Sequence, residues 1–241
     1  MKHFFLTAFL ISLFLTSHGA ETEDEVEGMG LAKEVRTSRP ETNSVMTGTL
    51  NIKMGKTRKE IPMIVRVTVQ GEKWLSEYET RPGAELQEKL TVKHSPEGAN
   101  EYFYSKDPAH FENPAKVGVQ EVFIPFAGSD FALGELGLEF LHWPVQRRLK
   151  GEMRLGRPCY VLESVDPKGS ITARVICYID KETKGILMAD VFNAEKVKTK
   201  EFSLSGSSFK KVNGQWQLEE MKMRNLKTNS QTTLKLDLGE N

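Results

Sequence analysis

Few residues in this chain are able to do chemistry, and two cysteines are the most informative of them. Cys159 and Cys177 flank the turn-forming stretch Asp166-Pro-Lys-Gly-Ser170. With those five residues as a loop, antiparallel pairing sets Cys159 opposite Cys177, Val161 opposite Val175 and Val165 opposite Ile171. One face of that hairpin is then apolar except for Glu163. Facing Cα atoms of such a pair stand about 5.5 Å apart, within disulfide reach. A Cys159–Cys177 disulfide is therefore expected, closing a short loop and stabilising by about 3 kcal/mol on the chain-entropy account. Two buried free thiols would suit the same setting. No Cys-x-x-Cys occurs, so a redox-active pair is not expected.

Other reactive types fall into no recognisable constellation. His94, His110 and His142 match no metal-ligand spacing, and there is no His-Glu-x-x-His. Gly-x-Ser-x-Gly, a phosphate loop and a dinucleotide glycine pattern are all missing. The pair Glu219-Glu220 sits among alternating strand residues, where facing solvent is the ordinary role. No cofactor, no metal and no enzymatic activity are expected. Lys196, Lys198 and Lys200 alternate, which predicts one face of one strand, a solvated outer face rather than a patch for anionic lipid. Such charges also guard strand edges.

Lys plus Arg and Asp plus Glu are each 33, so the chain is neutral, which argues against a nucleic-acid partner. Lys2 precedes an apolar run from Phe4 to Leu15, followed by the small and polar residues Thr16 to Ala20 and the acidic Glu21, Glu23, Asp24 and Glu25. That order predicts a cleavable secretory signal over residues 1–20 and a mature domain over 21–241. The run is shorter than the roughly 20 apolar residues of a membrane span. No later run is long enough either, so an integral membrane protein is not expected. No cysteine follows the signal to carry a lipid. The roughly 220 remaining residues suffice for one core.

The elements that position these residues are mostly strands. An amphipathic helix is expected over 23–36 with Val26, Met29, Ala32 and Val35 on one side, weakened by Gly28 and Gly30 at about 1 kcal/mol each. Strand-like runs follow over 45–53, 61–70, 72–80, 86–94 and 117–126, with a loop over 107–116. A second helix is predicted over 129–142, capped by Ser129 or Asp130 and closed by Trp143-Pro144. Turn signals at Lys181–Gly185, Asn193–Lys196 and Asn213-Gly214 mark hairpins beyond it. Across Asn213-Gly214, Lys211 faces Trp216 and Phe209 faces Leu218, with a bulge expected at Gly206.

The whole reads as a mainly β (α+β) fold: an incomplete, strongly curved antiparallel barrel of about ten strands, with helices on its concave, open side. Phe126, Phe131, Leu133, Leu136, Leu138, Phe140, Leu141 and Trp143 crowd the second helix on nearly all sides. Two readings fit them: plain core packing, or the lid and wall of a cavity for a hydrophobic ligand.

Several of these stretches resemble the LolA-like outer-membrane lipoprotein-sorting family. They are Phe126-Ala-Gly-Ser-Asp-Phe131 with Leu136, Gly156-Arg-Pro-Cys-Tyr-Val-Leu-Glu163, Tyr178-Ile-Asp-Lys-Glu-Thr183, and Phe209-Lys-Lys-Val-Asn-Gly-Gln-Trp216 with Met221 to Leu226. The resemblance implies a periplasmic half-barrel that shields the acyl chains of lipoproteins, or other lipid, in a hydrophobic cavity. It also implies envelope proteins as donor and acceptor. A stress sensor or an interaction protein built on the same half-barrel is the alternative it leaves open.

Overall fold

The computed structural model describes residues 22–238, apart from 82, 84–85, 97, 119, 170, 205–207 and 213–214 and the side chains of 209–217. The expected signal over 1–20, the bulge at Gly206 and the Asn213-Gly214 turn lie outside the described residues. Helix α1 (Glu23–Arg36) opens the described chain, and strands follow: β1 (Ser44–Met54), β2 (Thr57–Gln70), β3 (Lys73–Thr80), β4 (Lys89–His94), β5 (Glu101–Ser105) and the two-residue β6 (Ala115–Lys116). After a non-strand segment containing α2 (Leu133–Leu136) come β7 (Val145–Arg154), β8 (Arg157–Val165), β9 (Arg174–Asp180), β10 (Ile186–Phe192), β11 (Lys198–Ser203), β12 (Phe209–Val212), β13 (Gln215–Leu218), β14 (Glu220–Asn225) and β15 (Ser230–Leu236).

Thirteen strands form one curved antiparallel sheet in the order β6-β5-β4-β3-β2-β1-β15-β14-β11-β10-β9-β8-β7, and β12 and β13 form a separate pair. The expectation of about ten strands is thus too low. The chain is also more broken than its apolar runs suggest: β6 lies in the expected loop 107–116, while the expected strand over 117–126 is not one. Beyond Val117, whose N–H donates to Tyr102 O at 2.8 Å, the segment turns on itself, Gly118 N–H donating to the Glu121 carboxylate at 2.7 Å and Phe126 N–H to Phe131 O at 2.9 Å.

Cross-strand partners carry one apolar face from edge to edge. Leu90 faces Tyr78, Leu50 faces both Ile61 and Leu234, Phe202 faces Met223 and Ala189, and Cys177 faces Ala189 and Leu162. We call this the inner face. Residues 117–144 lie over it, since Phe126, Phe131 and Leu133 share a core with Leu50, Met63 and Leu90. On the opposite face, Leu204 and Leu218 pack with Cys159, Val161 and Tyr178. The hairpin pairing Lys211 with Trp216 and Phe209 with Leu218 has the register read from its sequence.

Helix α1 has the expected bounds, and a capping box starts it: Thr22 Oγ1 accepts from Glu25 N–H while the Glu25 carboxylate accepts from Thr22 N–H. Its buried stripe is rotated from the expected one. Gly28, Leu31, Ala32 and Val35 face inward, whereas Val26 and Met29 are exposed. The cause is Gly28, which lets the helix lie against the β7 backbone; a Cβ there would come within 2.5 Å of Gln146 O.

The expected disulfide is absent: both thiols are free and buried. The loop runs from Asp166 to Ala173, closed by Asp166 N–H to Ala173 O at 2.9 Å, so Val165 faces Arg174 and Cys159 faces Asp180. An odd offset of three residues, from Cys177 to Asp180, puts the cysteines on opposite faces of the sheet. Alternation could not select the register because β8 and β9 are covered on both sides. Asp180 holds it instead, by pairing with Arg157 and accepting from Glu182 N–H at 2.8 Å.

The lysine stripe needs correction as well. The register slips between Val191 and Phe192, which places Lys198 against Phe192 and Lys200 against Val191. The two leave the sheet on opposite faces. Lys198 pairs with Asp190 and Glu201 outside, and half-buried Lys200 reaches the inner segment.

Candidate functional site

Residues 117–144 carry the apolar cluster singled out in the sequence, and they do not form the expected helix over 129–142. Only Leu133–Leu136 is α-helical, flanked by 3-10 turns at Glu121–Phe123, Phe126–Gly128 and Glu139–His142. Two features break the helix. Leu138 takes a left-handed conformation with φ 54°, and Gly137 sits so close to Tyr102 that a Cβ would come within 2.3 Å of its hydroxyl. The expected caps act differently too. The α2 N-terminus is served by Glu135, whose carboxylate accepts from Ala132 N–H at 2.7 Å.

Asp130 instead fastens the segment to the sheet. Its buried carboxylate accepts from Ser230 at 2.5 Å and Thr232 at 2.9 Å, both on β15, and its own N–H donates to Thr232 Oγ1 at 2.8 Å. Lys200 adds a tie from β11, donating to Asp130 O at 2.8 Å and to both oxygens of Glu135 at 3.0 and 2.8 Å. At the far end Gln146 donates to Phe140 O and Trp143 O at 2.9 and 3.0 Å, and Ser164 donates to the Gln146 amide oxygen. Arg36 of α1 reaches Leu141 O at 3.2 Å.

Between this segment and the inner face lies a cavity of about 1110 Å³. That is slightly above the range of about 300–1,000 Å³ usual for ligand pockets. Of the eight residues singled out by sequence, Phe131, Leu136, Leu138, Phe140 and Trp143 line it. Phe126, Leu133 and Leu141 do not; they are almost fully buried and belong to the core. The sheet contributes Ala189, Val191, Phe202, Met221 and Met223, and α1 contributes Val35. Sequence reasoning missed these wall residues, although their period-two spacing on adjacent strands was a usable signal. Lys168, Thr172, Lys184 and Gly185 border the cavity from the β8–β9 and β9–β10 loops.

One end of the cavity is polar. Asn100, just before β5, Tyr102 of β5, and Glu139 and His142 of the overlying segment meet there. Tyr102 donates to Glu139 Oε2 at 2.8 Å, and Asn100 donates to Gly137 O at 2.8 Å. Burial raises the Glu139 carboxyl above its ordinary range, an effect that the Tyr102 hydrogen bond partly opposes. Burial holds His142 down at about 4, helped by nearby Arg36, and holds His94 down at about 4, helped by His142. Of the three histidines, 94 and 142 are thus neighbours, whereas His110 lies apart, exposed beside Asp107. Among the described residues no group of three His, Cys, Asp or Glu is placed to hold a metal. Nor does any described helix have the length and apolarity to cross a membrane.

The model of a family described as an uncharacterized protein matches residues 74–238. No curated protein matches in sequence. Three solved structures share the fold. A putative outer membrane lipoprotein-sorting protein domain from Vibrio parahaemolyticus is 19% identical with a TM-score of 0.72, covering 89% of this chain and 92% of its own. A DUF1329 family protein from Desulfovibrio piger is 17% identical with a TM-score of 0.71, covering 90% and 92%. A LolA superfamily protein from Nitrosomonas europaea is 15% identical with a TM-score of 0.60, covering 90% and 93%.

Proposed function

We propose that this chain, a member of the family matched over residues 74–238 with the fold of the lipoprotein-sorting and LolA superfamily structures, is a LolA-like periplasmic carrier or binding protein for acyl chains, those of lipoproteins or of other lipid. The observation that carries the reading is the cavity of about 1110 Å³ walled by Phe131, Phe140, Phe202 and Met223. A core built only to be stable closes such a space, because interiors pack to crystal-like density. Each methylene moved from water into it contributes about 0.8 kcal/mol, so a chain of about twelve carbons gathers on the order of 10 kcal/mol before the association cost. The proposed role requires no catalytic group. The fold relatives named for lipoprotein sorting support the reading as kin of the same architecture.

Titration with a fluorescent fatty acid, followed by displacement with a lipopeptide, tests it. We expect saturable binding, weakened at least tenfold by Ala189→Phe, which fills the cavity from the floor of the sheet. Absence of saturable binding to the folded wild type overturns the proposal.

A further inference from the structure

The polar end of the cavity holds a carboxylate without a cation. Among the other charged groups along the wall, Lys116 pairs with Glu101, Glu135 with Lys200 and Lys184 with Glu34, while exposed Lys168 lies in the β8–β9 loop. Glu139 has one hydrogen bond, from Tyr102 to Oε2, and among the described residues no Lys, Arg or His nitrogen lies within 4 Å of it. The neighbouring imidazoles of His142 and His94 do not compensate, since burial keeps both neutral at ordinary pH. The backbone around it is fixed on both sides: Asn100 holds Gly137 O, Tyr78 donates to Leu136 O at 3.3 Å, and Gly137 abuts the Tyr102 ring. Removing a carboxylate from water is costly unless something restores its hydrogen bonds. The position therefore disfavours an acidic ligand head and suits a donor that brings a positive charge.

We propose that Glu139, with Tyr102 and Asn100 beside it, forms a headgroup subsite for a protonated primary amine at the end of an alkyl chain that occupies the apolar part of the cavity. The inference rests on the proposed binding of acyl chains and adds the head that the cavity selects. Such an amine has two sources, the headgroup of an aminophospholipid or a lysine side chain next to an acylated residue.

The test is displacement of the neutral probe N-phenyl-1-naphthylamine by dodecylammonium and by dodecanoate, in wild type and in Glu139→Gln. Wild type should prefer dodecylammonium by about tenfold or more, the scale of a hydrogen bond to a charged group. Glu139→Gln should bind the neutral probe as before and lose the preference. Lysophosphatidylethanolamine, and a palmitoyl peptide with lysine or norleucine beside the acylated residue, then separate the sources: the true one competes in a Glu139-dependent way. No preference in wild type, or a preference that survives Glu139→Gln, overturns the subsite while leaving acyl binding intact. Failure of the neutral probe to bind the folded wild type overturns both.

Discussion

Two glycines two residues apart in α1, and so on opposite sides of it, should respond to the same substitution with opposite signs. In an exposed helix interior, Gly→Ala stabilises by about 1 kcal/mol through backbone entropy. Gly30 has nothing within 4 Å of the position a Cβ would take, so Gly30→Ala should gain that amount. At Gly28 the same methyl would meet Gln146 O at 2.5 Å and Arg147 N and Cα at 2.6 Å. All three are backbone atoms of β7 and cannot rotate aside. Relief to an ordinary contact needs α1 to retreat by roughly 1 Å. A gap of 0.5–1 Å forfeits about a quarter to a half of each dispersion contact, and it would open beneath Leu31, Ala32 and Val35, now 6%, 0% and 8% exposed. Overpacking of this kind costs about 1–3 kcal/mol. Net of the propensity gain, Gly28→Ala should destabilise by up to about 2 kcal/mol, leaving the two variants about 1–3 kcal/mol apart. Urea unfolding followed by circular dichroism measures this, with midpoints moving in opposite directions at unchanged slope. Shifts of the same sign would refute the close packing of α1 on β7.

Thiol counting on denatured, non-reduced protein should find both Cys159 and Cys177 free, and adding reductant should leave the melting temperature unchanged. Asp130→Ala should destabilise by about 3 kcal/mol, since it removes two hydrogen bonds to a buried charged group and takes the carboxylate acceptor from the Ser230 and Thr232 hydroxyls. In a Ser230→Ala/Thr232→Val background the cost should shrink to about 1 kcal/mol, and an unchanged cost would show that the fastening is not energetic. His94 titrates at about 4 in the folded protein and near 6.5 when unfolded. Its contribution is therefore complete above about 6.5 and is lost as pH falls toward 4. His94→Gln should accordingly flatten the acid limb of stability against pH, and an unaltered limb would count against its burial.

Elements that declare themselves through local chemistry were legible in the sequence. The bounds of α1 follow from Thr22 and the acidic first turn, and the Lys211–Trp216 register follows from Asn213-Gly214. Period-two alternation failed where a strand is covered twice: β8 and β9 are apolar on both faces, so the Cys159 register rested on Asp180, a charge that periodicity ignores. The apolar density of 126–143 belongs to a segment that packs on the sheet, but the helix read there does not form. Its shape depends on Tyr102 crowding Gly137 and on Asp130 reaching β15, contacts between residues far apart in the chain. The cavity wall was the least visible part. Ala189, Phe202 and Met223 come from three strands and share a surface only once the sheet has curved.

The strand order has a consequence for how the chain assembles. Every neighbouring pair in the large sheet joins consecutive strands except β11–β14, which skips the β12–β13 hairpin, and β1–β15. Residues 44–116 and 145–236 can therefore each zip from local hairpins, the fast kind of contact. The seam between β1 and β15, where Leu50 meets Leu234, joins residues from opposite ends of the chain and must wait for both halves. Until it closes, each half presents a strand edge with unpaired backbone groups. A second copy offers the same edge in the same register, so the natural misassembly of this fold is a domain-swapped dimer. In it β1 of one chain would pair with β15 of the other, with residues 117–144 as the connecting hinge.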